Sequence, residues 1–209
     1  MDILIITTFY PPDTAVAAVR LYMLAKYLTK RGHKVTVLTG LPNYPHGKVY
    51  DGYGLFRKRK EVIDGVTIYR TLVIPRGNSG GIMLALNYLS WAFIASFWAV
   101  FMAIFGRYEA VLVHETSPIT QGFPALIVKW IRRIPMYFWV LDLWPESLMA
   151  GGIGKNSPIY KVFWHISRSI YRKADTILIT SLGFRDYFRD VLGIKNQQIR
   201  YLPQYAEDM

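Results

Sequence analysis

Short apolar runs rich in β-branched residues alternate along this chain with longer segments in which apolar positions recur every three or four residues. Ile3 to Thr7 is the first run. Pro11, Pro12 and Asp13 follow, and then a helix is predicted with Val16, Val19, Met23 and Tyr27 along one face. Gly32 ends that helix as its C′ residue, a position where glycine accepts a left-handed backbone. Val35 to Leu38 is the next strand, so the opening is a strand, helix, strand unit of the parallel doubly wound kind, with the first strand central. The scheme repeats in Ala110 to Val113, Met136 to Leu141 and Thr176 to Ile179. Ser117 with Pro118 opens one intervening helix and Ser157 with Pro158 another, each a serine N-cap followed by proline at the first helical position. In the second of these, Ile159, Val162, Phe163, Ile166 and Ile170 form an apolar stripe. The expected fold is α/β: a Rossmann-like, doubly wound, mainly parallel sheet with helices on both faces, as one domain over residues 1–209 without internal repeats.

Two segments depart from this rhythm. Leu41 to Arg59 is rich in Pro, Gly and Tyr and too irregular for a simple connection, and such loops in compact domains are usually functional or mobile. Val62 to Arg70 then reads as a hairpin turned at Asp64 and Gly65. The second segment, Ile82 to Phe105, carries no charge and is long enough to span a bilayer. Its faces favour a different role. Ala92, Ser96, Ala99 and Ala103 share one side, suited to close packing on a sheet, while Phe93, Phe97, Phe101 and Phe105 share the other. Asn87 and Ser90 interrupt it, and a spanning helix between strands of one sheet would tear the domain apart. A sheet-covering helix is expected, its aromatic side left for core packing or for lipid.

The chain has no cysteine, which excludes disulfides, thiolate metal sites and cysteine nucleophiles. Its four histidines lack ligand spacing, so no metal is expected. Lys plus Arg number 25 against 14 Asp plus Glu, a net charge of +11 that attracts acidic lipid headgroups or phosphorylated substrates. No nucleic-acid motif accompanies that charge, so nucleic acid is not the expected partner. The apolar start has no cationic leader or cleavage site and reads as a core strand, so export is not expected.

The first strand, the Pro11-Pro12-Asp13 loop and the helix ending in Arg31-Gly32-His33-Lys34-Val35-Thr36-Val37 together resemble family 4 glycosyltransferases of the GT-B fold. Val113-His114-Glu115, the block from Leu141 through Asp142, Trp144 and Glu146 to Ser147, Lys173-Ala174-Asp175-Thr176-Ile177 and Tyr201 to Asp208 follow in that family's order. They look most like the L-fucosamine transferase and colanic acid transferase branch, which builds lipid-linked bacterial surface polysaccharide such as capsule, O-antigen or lipopolysaccharide. The resemblance implies an amino-terminal, acceptor-side domain over 1–209, with the nucleotide-sugar domain and its paired glutamates absent from this chain. It implies retaining transfer from a nucleotide sugar, UDP-linked by expectation, to a lipid-pyrophosphate-linked sugar, with no cofactor and no protein nucleophile. The fragment alone is expected to be inactive.

Ligands collect at the carboxyl ends of parallel strands. The loop holding Asp13, Thr14 and Ala15 precedes a helix amino terminus that could offer backbone N–H groups to phosphate, although Ala15 to Ala18 stand where many relatives have glycines; the alternative is that Asp13 or Thr14 caps the helix. The resemblance sets His114, next to Glu115, against the donor sugar; the alternative is a histidine satisfied by local backbone. Asp142 could orient the acceptor hydroxyl or accept its proton, with Trp144 and Glu146 beside it, or these residues cap and pack the turn. Asn43, Tyr44 and His46 offer an amide, an aromatic ring and an imidazole for a sugar, or simply build a rigid turn. Arg57, Lys58, Arg59 and Lys60 form a cationic run that, with Phe93, Phe97 and Phe101, suits an anionic membrane; as a bland alternative it is a charged strand edge.

The leading expectation is therefore a hexosamine transferase domain, cytoplasmic and peripheral at the inner face of the membrane. A non-catalytic nucleotide binder is a second class, weakened by the absence of Gly-x-Gly-x-x-Gly after the first strand. A peripheral membrane module is the third.

Overall fold

The computed structural model describes residues 1–78 and 80–204. The end of the Tyr201 to Asp208 block, from Tyr205 onward, lies outside the described residues. Eight strands form one sheet: β1 (Asp2–Ile6), β2 (Lys34–Gly40), β3 (Lys60–Ile63), β4 (Val66–Thr71), β5 (Ala110–Glu115), β6 (Met136–Val140), β7 (Thr176–Ile179) and β8 (Ile199–Tyr201). Their order is β3-β4-β2-β1-β5-β6-β7-β8, parallel throughout except for the β3–β4 hairpin, so β1 is central and the doubly wound α/β expectation holds. The hairpin turns at Asp64 and Gly65, both at positive φ as a tight two-residue turn requires.

Helix α1 (Val16–Lys30) covers one face, over Ile5, Val35, Val37 and Ile68. Helices α2 (Gly81–Phe105), α3 (Gly122–Arg132), the one-turn α4 (Ser147–Ala150) and α5 (Pro158–Lys173) come later in the chain, and α2, α3 and α5 cover the other face, over Leu4, Ile6, Val111, Val113, Phe138 and Ile177. Arg31 is the C-cap of α1 and Gly32 follows at φ +85.

The inward face of α1 is not the one its larger apolar residues suggest. Ala18, Leu21 and Ala25 are buried, whereas Val16, Val19, Met23 and Tyr27 are exposed. The helix is apolar on most sides, and the stripe with the small residues brings its backbone closest to the sheet. In α5 the Ser157 hydroxyl accepts the Ile159 N–H as predicted. Its buried stripe, however, is Tyr160, Ser167, Ile170 and Tyr171, with Ile159 and Val162 exposed. Three hydroxyl-bearing residues there disguise the stripe. Ser117 caps nothing: Pro118 precedes a 3₁₀ turn (Ile119–Gln121) leading into α3, and the Ser117 hydroxyl accepts the Trp144 indole N–H at 2.9 Å.

Helix α2 lies along the sheet and beside α3, with Ala92, Ala95, Ala99 and Ala103 buried and Phe93, Phe97, Phe101 and Phe105 exposed. Its length and composition would suffice to cross a membrane, yet its buried side is part of the main core. Trp91 is 1% exposed and packs on Gly40, where a Cβ would stand 3.0 Å from the indole. The two polar interruptions serve the preceding loop: Asn87 Nδ2 donates to the Ile74 carbonyl at 2.7 Å, and the Ser90 hydroxyl accepts the Ile74 N–H at 3.0 Å.

Candidate functional site

The loops after β1, β2, β4, β5 and β6 all emerge at the carboxyl edge of the sheet, where a doubly wound fold binds ligands. Asp13, in the loop after β1, is buried against the loop after β2. Its Oδ1 accepts the backbone N–H groups of Asn43 and Tyr44 at 2.9 and 2.8 Å. Burial raises its carboxyl from 3.8 to about 6 despite those bonds. Asp13 is therefore a loop clamp, not a helix cap. Neither is Thr14, which is exposed: the N-cap of α1 is Ala15, and among the described residues no side-chain cap bond is made there.

Asn43 passes the linkage on. Its Nδ2 donates to the Leu41 carbonyl at 2.9 Å, while its Oδ1 accepts the Arg76 backbone N–H at 3.3 Å and the Asn87 amide at 3.4 Å. Gly77 N–H donates to the Gly47 carbonyl at 3.0 Å, so the loops after β2 and β4 are tied twice. The Arg76 guanidinium sits 5.7 Å from the Phe9 ring centre and 5.1 Å from that of Tyr44, with the two rings themselves 5.6 Å apart. It also donates to the Tyr88 hydroxyl, whose pKa is raised by burial and, more weakly, by the Asp142 charge. Phe9, Tyr44, Arg76, Tyr88 and Asp142 thus gather at one mouth. His46 lies outside this group, exposed, with its ring 5.6 Å from Tyr50.

Arg76, Tyr88 and Phe9 escape the sequence reading. The available signal was an arginine bracketed by Pro75 and Gly77 just after a strand, in a loop of a doubly wound sheet.

His114 and Glu115 end β5 on opposite faces, as successive strand residues must. His114 is 1% exposed, edge-on to Trp139 at 5.0 Å, and neither ring nitrogen has a partner among the described residues. Burial lowers it from 6.5 to about 3, so it is neutral at physiological pH. The Trp139 indole N–H donates to the Leu202 carbonyl at 3.3 Å, which brings the segment after β8 to this side of the sheet. Glu115 is fully buried, with no side-chain partner for either oxygen among the described residues and the Asp142 backbone N–H beside its carboxyl. Burial first, and the Asp142 charge second, push its carboxyl well above the usual range, and Asp142 is itself raised by burial.

Trp144 and Glu146 are engaged by α5 and its neighbours. Trp144 is buried, bonded to Ser117 and 5.2 Å from the Phe163 ring. Glu146 Oε1 accepts the Tyr160 hydroxyl at 2.8 Å and pairs with Lys155 at 3.4 Å. Among the cationic run, Arg57, Lys58 and Lys60 are exposed. Arg59 is half-buried: it donates to the Arg70 and Leu55 carbonyls and lies 5.8 Å from the Trp98 ring. Burial lowers its pKa, so it is a structural residue of the hairpin more than a free surface cation. Among the described residues no three His, Asp or Glu side chains converge to hold a metal ion.

Sucrose-phosphate synthase from Thermosynechococcus elongatus superposes with a TM-score of 0.67 at 14% identity, over 97% of this chain and 48% of its own. HepE from Anabaena, solved with UDP and glucose, gives 0.59 at 11% identity, over 99% and 45%. UGT89C1 from Arabidopsis thaliana, solved with UDP-L-rhamnose, gives 0.60 at 10%, over 99% and 49%. The chain thus spans about half the length of these structures. No curated protein matches its sequence. The architecture is that of one Rossmann-like half of the GT-B fold. Residues 17–204 match the glycosyl transferase 4-like domain, and the chain belongs to that family.

Proposed function

We propose that this chain is the acceptor-side half of a retaining glycosyltransferase that moves a hexosamine from a UDP-linked sugar to a lipid-pyrophosphate-linked sugar during bacterial surface polysaccharide synthesis. The observation that carries the reading is the carboxyl-edge mouth of a family member, where aromatic rings, a guanidinium and a carboxyl meet on tied loops. Rings suit sugar faces, and the cation suits phosphate. UDP in the HepE and UGT89C1 structures supports the donor class. The Leu141 to Ser147 block and its neighbours favour the L-fucosamine and colanic acid branch. In this reading a carboxy-terminal domain holds the donor, and Asp142 orients the acceptor hydroxyl.

The working place is the inner face of the cytoplasmic membrane. Phe93, Phe97 and Phe101 are exposed beside a groove of about 540 Å³ between α2 and α3, lined by Leu89, Val100, Phe123 and Ile127 as well. Arg59 rests against Trp98, so the cationic run adjoins the same helix. An apolar face flanked by cations suits anionic lipid. That face alone also fits a peripheral membrane module without transferase activity.

The deciding experiment is a mass-spectrometric transfer assay of the full gene product against a panel of nucleotide sugars with a polyprenyl-pyrophosphate-linked sugar. The reading requires a product heavier by one hexosamine. No transfer from any donor, with vesicle binding retained, would favour the membrane module instead.

A further inference from the structure

Arg76 is only 8% exposed, yet among the described residues no carboxylate pairs with it, and its Nε is buried without a hydrogen-bond partner. Burying an uncompensated cation is costly, and a fold that retains one has a use for the charge. The contrast within this chain is instructive. Arg70, which is fully buried, has Glu61 at 2.6 Å and the Pro11 carbonyl at 2.6 Å. Arg76 has two aromatic rings and a tyrosine hydroxyl.

Its position is also held in place. The backbone N–H is bonded to Asn43, which is bonded through its own N–H to Asp13, and Asn87 joins Asn43 to Ile74. The guanidinium packs against the rings of Phe9 and Tyr44. Two acids lie in the neighbourhood, and neither neutralises it. Asp13 directs Oδ1 to the Asn43 and Tyr44 amides, and Asp142 acts on Tyr88, with both carboxyls raised by burial. A planar fork of donors, oriented and without a counter-ion, matches a phosphate group in its geometry.

We infer that Arg76 is an anion subsite that takes the pyrophosphate group of a substrate at the mouth formed by Phe9, Tyr44 and Tyr88. The subsite rests on the transferase reading only for the identity of the molecule carrying the pyrophosphate. Both the lipid-linked acceptor and the nucleotide sugar carry one.

Isothermal titration of this chain with inorganic pyrophosphate tests the subsite without any transfer reaction. Arg76→Gln should weaken binding at least tenfold, and Arg76→Lys, which keeps the charge but loses the fork, should fall between. Lys161→Gln, which removes an exposed cation on α5, should change affinity less than twofold. Circular dichroism melts establish that the Arg76 variants fold. In the wild-type chain the Arg76 Nε–H resonance, assigned by its loss in the lysine variant, should shift on adding pyrophosphate, a readout independent of variant stability. Farnesyl pyrophosphate and UDP then distinguish the sources: whichever binds more tightly and loses more affinity in Arg76→Gln is the carrier class. Equal pyrophosphate binding by wild type and Arg76→Gln, or an unmoved Nε–H resonance, overturns the subsite. Pyrophosphate binding that depends on Arg76, in a protein that transfers no sugar, upholds the subsite and removes the transferase reading.

Discussion

Gly47 and Gly77 cross so closely that a Cβ on Gly47 would stand 1.8 Å from the Gly77 carbonyl oxygen. Gly47 is at φ +70 and donates its own N–H to the Asn43 carbonyl, so it closes the turn that presents Asn43 and Tyr44. Gly47→Ala should therefore destabilise the protein by about 2 kcal/mol or more through strain and backbone displacement. Gly52→Ala, at φ +82 with open space around it, should cost only about 1 kcal/mol. Urea unfolding of both variants isolates the crossing; equal losses would mean that the two loops separate freely.

Asp13 makes a pH-dependent contribution of unusual sign. Burial raises its carboxyl from 3.8 to about 6, so the folded state binds this proton more tightly than the unfolded chain. The stabilisation is full below the unfolded value and is lost as pH rises through the folded one. Asp13→Asn keeps an oxygen for the Asn43 and Tyr44 amides without the charge. The stability of wild type relative to the variant should fall by about 1.4 kcal/mol per pH unit between about pH 4 and pH 6, then level off. A difference that is constant across that range would show that Asp13 titrates like an exposed carboxyl.

His114 behaves in the opposite way. Its folded value is lowered by burial from 6.5 to about 3, so its contribution is present above 6.5 and is lost as pH falls toward 3. His114→Leu, close in volume and apolar, should stay within about 1.5 kcal/mol of wild type at pH 8 and become relatively more stable in acid. The same variant separates core from chemistry. Transfer by the assembled enzyme should collapse if the imidazole meets the sugar, and wild-type turnover would make it a core residue alone.

The membrane proposal divides into salt-sensitive and salt-insensitive parts. Phe93, Phe97 and Phe101 are exposed, so replacing all three by serine should leave the melting temperature nearly unchanged while removing binding to anionic vesicles that survives high salt. Replacing Arg57, Lys58 and Lys60 by glutamine should remove the part that fades as the Debye length shrinks to about 3 Å at 1 M salt. Arg59 is left intact because it bonds the Arg70 and Leu55 carbonyls. A wild-type chain that stays in solution with anionic vesicles at low salt would leave the aromatic face to a protein neighbour.

The sheet was legible because its strands are continuous β-branched runs between turn residues, as in Ile3 to Thr7 and Thr176 to Ile179, and the Asp64-Gly65 turn and Ser157 cap are local chemistry. The small-residue side of α2 was legible for the same reason: Ala92, Ala99 and Ala103 contrast with phenylalanines on the same helix. Contrast fails in α1, where both sides are apolar, and in α5, where Tyr160, Ser167 and Tyr171 bury their hydroxyls. At the site, strand ends located Asn43, Tyr44 and Asp142 near the mouth. They could not reveal that Asp13 bonds amides 30 and 31 residues away, or that Arg76 packs against both Phe9 and Tyr44. Such partners are set by how loops cross, and the crossing is a property of the assembled fold.

The bonds from Asn87 and Ser90 fasten the segment at Ile74 to the first half of α2. The helix is about 37 Å long at 1.5 Å per residue, and Ile74 is two residues before Arg76 in the loop it grips. The same helix buries Ala92, Ala95, Ala99 and Ala103 in the main core, so the arginine loop is anchored through it to the sheet. Loosening α2 from the sheet would therefore take away the footing of the arginine loop, so the mouth inherits its rigidity from a stripe of alanines.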